Sequence, residues 1–121
     1  MYQIEADKAK NLLIIHLEGF MSDDELNKTA NDMRNEVDKL QSGFTLISDI
    51  ARMKPASQTG AILIQEAQQY LADKGMARTI RVVADPIAGM QFNRISKKVG
   101  YSAEIVNSME EALLLVEEPR I

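Results

Sequence analysis

Residues 44–60 read FTLISDIARMKPASQTG and carry three signals in succession: an apolar run, a polar connection and a helix start. The apolar run Phe44–Ile50 predicts a strand, because its residues favour extended backbone. Ser57 and Thr59 supply hydroxyls of the kind that begin helices. The apolar residues of 64–71 then recur at helical spacing, so the segment predicts a strand that leads directly into a helix.

The same alternation extends in both directions from this segment. Further strand-like runs span residues 2–6, 12–18, 78–84 and 102–107, and further helical stripes span residues 26–40, 88–99 and 109–116. The element order is therefore β-β-α-β-α-β-α-β-α, with the first two strands joined as an antiparallel pair. This order predicts an α/β fold with a mixed, central five-stranded sheet and four helices, formed by one domain over residues 1–121.

Capping residues mark where these helices begin and end. Ser22–Glu25 and Ser108–Glu111 have the capping-box form, in which a hydroxyl and a carboxylate satisfy free backbone amides. Asp85 precedes a proline, a residue that suits the first position of a helix. Three glycines follow the helical stripes and predict left-handed helix ends: Gly43, Gly75 and Gly100.

The charge and residue counts exclude several classes of function. The chain has 14 basic and 18 acidic residues, a net charge of −4, and no basic stripe of the kind that binds nucleic acid. It has no cysteine, which excludes disulfides and thiolate sites, and one histidine, which excludes sites that need two imidazoles. We therefore expect no metal, no cofactor and no nucleic acid partner.

No segment of the sequence resembles an export signal or a membrane span. Charged residues precede the first apolar run, Leu12–Leu17, which is too short for a signal core. The apolar runs Ala61–Ile64 and Ala112–Val116 are shorter still, and none approaches the ~20 residues of a membrane helix. We expect no integral membrane segment and a cytoplasmic location.

The connection from the third strand to the second helix is the leading candidate for a functional site. In open α/β sheets, ligands and partners meet the loops at the carboxyl ends of the strands. The cations of this connection and the free amides of the helix start would attract an anion. The alternative is that a hydroxyl merely caps the helix and that the cations are solvated. The candidate partner- or anion-binding loop comprises Asp49, Arg52, Lys54, Ser57, Gln58, Thr59 and Gly60.

A second basic group lies on the third predicted helix. Arg94 is one helical turn from Lys97 and Lys98, which indicates either a solvated face or a secondary site for an acidic headgroup or a partner's carboxylate. His16 lies on the more polar face of the second strand and is interpreted as a surface residue. The sequence shows no neighbour that would make a catalytic base of this histidine.

The seven methionines are interpreted mainly as residues that fill gaps in the core. Met33, Met90 and Met109 fall on helical stripes, and we expect them to be buried. Met53 and Met76 lie beside polar loop residues, and we expect these two to be exposed.

The segment from Phe44 to Val116 resembles the STAS domain, which sulfate-transporter tails and bacterial anti-sigma-factor antagonists share. The shared features are a strand ending in an acid (Asp49), a short loop, a hydroxyl-containing helix start that ends in glycine (Ser57–Gly60), a later glycine (Gly75) and the segment Ser108–Ala112. In outline the resemblance covers the whole chain. It is closer still to the SpoIIAA-like branch related to SEC14, whose Gln-Phe-x-Arg and Gly-Tyr signatures are similar to Gln91–Arg94 and Gly100-Tyr101.

The resemblance fails at the residue that carries the phosphoryl switch of the sigma-factor antagonists. In those proteins the phosphorylated serine directly follows an acid, whereas here Ser57 replaces the acid and Gln58 replaces the serine. Thr59 matches only the second hydroxyl of the motif. A glutamine accepts no phosphate, so we expect the usual phosphoserine to be absent, and modification of Ser57 or Thr59 by another kinase stays an alternative.

These observations favour a non-enzymatic regulatory or protein-interaction module with an unidentified protein partner. The resemblance to SEC14 implies a second function, a carrier of a small apolar or lipid-like ligand. A hydrolase or transferase would need a nucleophile–base pair, a metal cluster or a phosphate loop, and we find none in the sequence. A homodimer is a further alternative, because an edge strand such as Tyr2–Ala6 needs covering.

Overall fold

Five strands and four helices follow one another in the predicted order in the computed structural model, which describes residues 1–117. The strands are β1 (Tyr2–Asp7), β2 (Leu12–Gly19), β3 (Thr45–Met53), β4 (Arg78–Val82) and β5 (Glu104–Val106). The helices are α1 (Asp23–Val37), α2 (Gln58–Asp73), α3 (Pro86–Val99) and α4 (Met109–Glu117). The last four residues of the predicted domain, 118–121, lie outside the described residues.

The strands form one mixed sheet in the order β1-β2-β3-β4-β5. The strand β1 pairs with β2 in the antiparallel sense, and every other neighbouring pair is parallel. The predicted five-stranded mixed sheet is therefore confirmed. Because the parallel strands all run the same way, the carboxyl ends of β2, β3 and β4 lie at one edge of the sheet.

The two faces of the sheet are covered unequally. Successive side chains of β2 point to opposite faces of the sheet. Leu13, Ile15 and Leu17 belong to the larger core, which α1, α2 and α3 cover. Leu12 belongs to the smaller core on the opposite face, which α4 covers. The sheet is thus covered by three helices on one face and by α4 on part of the other. Within residues 1–117, no helix combines the length and the apolar character needed to cross a membrane.

The third strand is longer than the sequence predicts, and this changes the shape of the candidate loop. Residues 49–53 continue the parallel ladder with β2, which pairs Asp49 with His16 and Met53 with Gly19. Asp49 therefore lies inside β3 rather than at its end, and only residues 54–57 connect β3 to α2. The expectation that Met53 is exposed is wrong, because its side chain points into the core and is 1% exposed.

Most of the helix ends lie where the sequence predicts them. Gly100 ends α3 in the left-handed conformation, with φ 107°, and its backbone N–H donates to Ser96. Gly43 does not end a helix, although its φ of 89° is also left-handed. Helix α1 stops earlier, at Val37, and the N–H of Gly43 instead donates to the carbonyl of Gly75 in the loop below α2.

Candidate functional site

Helices α1, α2 and α3 begin where the parallel strands β2, β3 and β4 end. We call this region the carboxyl edge and define it as residues 20–25, 54–62 and 83–90. Each helix is capped by a side chain that accepts a backbone N–H: Ser22 from Glu25, Ser57 from Gly60, and Asp85 from Ile87. The predicted start signals at Ser22, Ser57 and Asp85 are therefore confirmed as caps.

Ser57 does more than cap α2. Its hydroxyl accepts the N–H of Gly60 at 2.9 Å and donates to the carboxylate of Asp23, at the start of α1, at 3.0 Å. Gly60 is buried against α1, and a Cβ at that position would lie 2.9 Å from the side chain of Leu26. The beginnings of α1 and α2 are thus held together by Ser57 and brought close by Gly60.

The connection between β3 and α2 is held from the other side by α3. The side-chain amide of Gln91 accepts the N–H of Ala56 at 2.8 Å and donates to the carbonyl of the same residue at 3.0 Å. Because Gln91 hydrogen-bonds to both the N–H and the carbonyl of one loop residue, it fixes the position of the loop against α3. Lys54, Gln58 and Thr59 remain exposed on the outer side of the connection.

Large apolar side chains are exposed around the same edge. Phe20, directly before α1, is 60% exposed, and Ile87 and Met90 at the start of α3 are 66% and 61% exposed. The expectation that Met90 belongs to the core is wrong, because the buried stripe of α3 runs through Ala88, Phe92 and Ile95 instead. Exposed aromatic and methionine side chains next to polar residues are typical of protein interfaces.

The remaining residues of the predicted loop lie apart from this surface. Asp49 and Arg52 line a shallow groove with His16 and Glu18, and none of Lys54, Ser57, Gln58, Thr59 and Gly60 contributes to it. The extended β3 explains the separation, because Asp49 lies within the sheet, opposite His16 of β2. The residues of the predicted loop therefore lie in two separate places: Asp49 and Arg52 in the groove on β3, and residues 54–60 at the start of α2.

A histidine–aspartate pair lies in that groove. The Nδ1 atom of His16 is 2.9 Å from a carboxylate oxygen of Asp49, whose other oxygen accepts the N–H of Ala51. An imidazole oriented by a carboxylate acts as the general base of a catalytic triad, whose third member is a nucleophile. Among the described residues that line the groove, none offers a hydroxyl or thiol for this base to activate.

All three residues of the predicted secondary basic group are exposed. Arg94, Lys97 and Lys98 project from α3 into solvent, and within residues 1–117 none of the three forms an ion pair. Lys97 and Lys98 occupy the last turn of α3, where the helix dipole favours positive charge. This placement explains both lysines without a ligand.

A fully buried arginine lies on the other face of the sheet from the histidine–aspartate pair. Arg81 of β4 is 1% exposed, and its two terminal nitrogens donate to Asn93 at 2.9 Å and to Ser96 at 2.7 Å. Ser96 and Tyr101 both donate in turn to the side-chain oxygen of Gln68 on α2. Burial lowers the pKa of Arg81 and raises the pKa of Tyr101.

Beside Arg81 there is a small, partly open cavity of about 60 Å³ between the sheet and helices α1, α2 and α3. Its lining is mostly apolar, and its polar members are Thr29, Ser48, Gln68, Arg81 and Tyr101. This volume corresponds to about two water molecules. Sequence reasoning missed Arg81 and the cavity, although a charged residue in a central strand was a signal that a buried charge needs partners.

The cavity lies between helices that are tied together at both ends. Ser57 and Asp23 join the amino ends of α2 and α1. At the carboxyl ends, Asp38 accepts from the hydroxyl of Tyr70 at 3.1 Å and pairs with the ammonium of Lys74 at 3.0 Å. These polar contacts hold α1 and α2 over the cavity.

The architecture is similar to two solved structures. An uncharacterised protein of the DUF3478 family with a SpoIIAA-like fold, from Shewanella loihica PV-4, superposes with a TM-score of 0.74 at 9% identity, covering 95% of this chain and 93% of that chain. The anti-sigma factor antagonist SpoIIAA, in its unphosphorylated form, superposes with a TM-score of 0.62 at 17% identity, covering 94% of both chains. No protein-family model matches the sequence, and no curated protein matches it significantly.

These similarities define the fold of the molecule, an α/β domain built on one mixed sheet. More closely, the chain has the SpoIIAA-like fold, as the sequence resemblance implied. The structure also accounts for the two signatures of that resemblance. In the first, Gln91 holds the β3–α2 connection and Asn93 accepts from Arg81. In the second, Gly100 ends α3 and so places Tyr101 against Gln68.

Proposed function

We propose that this chain is a non-enzymatic regulatory module that binds another protein through its carboxyl edge. The observation that carries the proposal is the exposure of Phe20, Ile87 and Met90 around the starts of α1 and α3. Aromatic and methionine side chains are enriched where proteins bind one another. The similarity of the fold to an anti-sigma-factor antagonist supports a regulatory role.

Charge at the carboxyl edge indicates the chemistry of the partner. The first turn of α1 is acidic, with Asp23, Asp24 and Glu25, and offsets the positive end of that helix dipole. The first turns of α2 and α3 carry no acidic residue, and Lys54 lies next to the start of α2. A partner that presents apolar side chains, with basic groups opposite the start of α1 and a carboxylate opposite Lys54, would match this distribution.

We further propose that binding is not controlled by the phosphoserine of the sigma-factor antagonists. Gln58 takes the place of the phosphoacceptor in the sequence, and the Ser57 hydroxyl is occupied by Gly60 and Asp23. Thr59, like Ser57, is an exposed residue at this helix start. Phosphopeptide mapping of protein from its own cells tests the proposal, and a phosphate on Ser57 or Thr59 would contradict it.

Site-specific crosslinking tests the interaction surface. A photoreactive phenylalanine analogue at position 20 or 87 should capture the same protein, whereas the analogue at Leu114, equally exposed on α4, should not. Replacing Lys54 with Glu should weaken the capture, and replacing Lys98 with Glu should leave it unchanged. Equal capture from position 114, or capture unaffected by Lys54→Glu, would show that the carboxyl edge is not the binding surface.

The second candidate function is the binding of a small apolar or lipid-like ligand, and the cavity beside Arg81 favours it. Because ligand pockets usually measure ~300–1,000 Å³, a fatty or isoprenoid chain would enter this apolar-lined cavity of 60 Å³ only if α1 and α2 moved apart. Native mass spectrometry of protein from its source cells separates the alternatives. An added mass lost on denaturation would support a ligand, and a doubled mass would support a homodimer. The cytoplasmic location stays a prediction of the sequence.

A further inference from the structure

The strand β1 forms an edge of the sheet, and no strand among residues 1–117 lies against its outer side. At its start, the carbonyl of Met1 accepts the N–H of Glu18 at 2.9 Å, and the nitrogen of Met1 donates to the carbonyl of Glu18 at 3.2 Å. In an antiparallel ladder, such bonded pairs alternate with pairs that share no hydrogen bond. The odd-numbered residues of β1 therefore bond to β2. Three residues direct both their N–H and their carbonyl away from β2: Tyr2, Ile4 and Ala6.

The composition of β1 leaves this edge open to another strand. Proteins commonly protect an edge with a proline, a lysine or a bulge. The strand YQIEAD has no proline and no lysine, and it pairs with β2 in one continuous register. Its charges are the carboxylates of Glu5 and Asp7, which disfavour any pairing that brings two carboxylates face to face. These charges therefore restrict the register of an added strand.

A second copy of β1 satisfies every outward backbone group when the two strands run antiparallel about a two-fold axis at Ile4. Ile4 then lies opposite Ile4 of the second copy, and Tyr2 lies opposite Ala6 on both sides of the axis. Each of these three pairs exchanges two hydrogen bonds, about six in total. A two-fold axis at Gln3 or at Glu5 leaves only two such pairs and about four hydrogen bonds. The backbone therefore favours the axis at Ile4.

The side chains agree with an axis at Ile4. This axis places Gln3 opposite Glu5 of the second copy, twice by symmetry, in pairs that share no backbone hydrogen bond and whose side chains are therefore close. Both residues are exposed, and the amide of a glutamine can donate to a carboxylate. On the other face of the strand, Tyr2 and Ile4 pack against the larger core and would meet the second copy there. An axis at Glu5 would instead set the two Glu5 carboxylates against each other.

We propose that the chain forms a two-fold symmetric homodimer, in which the β1 strands of two copies pair antiparallel about Ile4 and join the two sheets into one. The charge that opposes this pairing lies on α1, where Asp32 and Glu36 line the groove beside β1. Asp32 accepts from the hydroxyl of Tyr2, and Glu36 pairs with Lys39, so both carboxylates have a partner within their own chain. Salt at about 0.15 M screens the repulsion that remains between exposed charges more than ~8 Å apart.

Sedimentation equilibrium at this salt concentration measures the dissociation constant of the dimer. Gln3→Glu places two carboxylates opposite each other in both pairs and should raise the dissociation constant roughly threefold to thirtyfold. Gln3→Lys places an ammonium opposite Glu5 and should lower it. Gln3→Glu combined with Glu5→Gln exchanges the partners of each pair and should restore the wild-type value. Gln58→Glu and Gln58→Lys change the net charge equally at an exposed position of α2, and they should leave the dissociation constant nearly unchanged.

Two further variants test the backbone pairing and its register. The N–H of Ala6 points away from β2, so Ala6→Pro is tolerated in the monomer. The dimer loses two hydrogen bonds in this variant, and its dissociation constant should rise roughly fivefold to a hundredfold. An oxidised, equimolar mixture of Gln3→Cys and Glu5→Cys reports the register, because the natural chain has no cysteine. The disulfide between the two different variants should exceed its statistical share.

A wild type that stays monomeric up to about 1 mM would overturn the inference. A dimer that responds equally to the Gln3 and Gln58 variants would also overturn it, since another surface would then hold the copies together. Disulfides in statistical proportion would overturn the axis at Ile4. The homodimer does not rest on partner binding at the carboxyl edge, because the Gln3→Glu chain should still be captured through positions 20 and 87.

Discussion

Replacing Gln91 with Ala should loosen the carboxyl edge without disturbing the sheet. Gln91 makes two hydrogen bonds to Ala56, one to its N–H at 2.8 Å and one to its carbonyl at 3.0 Å. Each such bond contributes ~0.5–1.5 kcal/mol, so their joint loss costs about 1–3 kcal/mol. Since Ala56 is half-buried and water can reach it once the side chain is gone, we expect the lower part of this range, about 1–2 kcal/mol.

Urea unfolding followed by circular dichroism measures this change in the free energy of unfolding, and amide hydrogen exchange locates it. Protection of the Ala56 N–H should fall in Gln91→Ala, whereas protection within β3 and β4 should fall only as far as global stability does. Arg94→Ala, one helical turn further along α3 and exposed, is the control and should change stability by less than ~0.5 kcal/mol.

Gln91→Glu separates the two hydrogen bonds. At neutral pH its carboxylate still accepts the N–H of Ala56 but cannot donate to the carbonyl, so part of the stability is lost. Protonation below about pH 4 restores the donor, and the variant should then approach the wild type. An unchanged free energy of unfolding in Gln91→Ala, with unaltered exchange at Ala56, would refute the view that α3 holds this connection.

Three further predictions concern other contacts. Ser57→Ala removes the cap of α2 and should lower the free energy of unfolding by about 1 kcal/mol in urea titrations, with Ser57→Thr nearly unchanged. Hydrogen bonds from Lys74 and Tyr70 lower the pKa of Asp38. The stability that Asp38 contributes to the fold is therefore present at pH values above the ordinary carboxyl pKa, and it is lost as the pH falls through the lowered pKa. The stability difference between wild type and Asp38→Asn should therefore shrink in urea titrations below about pH 4; a constant difference would contradict this. Arg78→Met breaks a bidentate pair with Glu104 and a bond to the α4 backbone, and should cost about 1–3 kcal/mol. Hydrogen exchange should then rise first in β5 and α4.

The sequence contains enough information to predict the element order and the sheet. Local signals determine these features: Ser22, Ser57 and Asp85 begin helices where predicted, and the apolar periods switch between strand and helix spacing at the right places. The end of β3 was not predictable in this way. The alternation of buried and exposed residues near Arg52 is irregular, and pairing with β2, a partner distant in sequence, decides where the strand stops.

The candidate site was predicted in part. The caps and the exposed cations follow from local spacing, whereas the pairing of His16 with Asp49 depends on the register between β2 and β3. The burial of Arg81 depends on three elements that meet only in the folded chain. Met90 was misassigned because two stripes on α3 satisfy helical periodicity, and packing against the sheet selects the other one.

The void beneath α1 and α2 also enters the volume change of unfolding. A volume of 60 Å³ in each molecule amounts to about 36 mL per mole, and the contraction on unfolding, ~20–100 mL/mol for globular proteins, grows with the void volume that is lost without equalling it. Hydrostatic pressure should therefore destabilise this chain more than a solidly packed chain of equal thermal stability. A molecule that occupied the void would confer resistance to pressure, and the pressure at the unfolding midpoint would report on its occupancy.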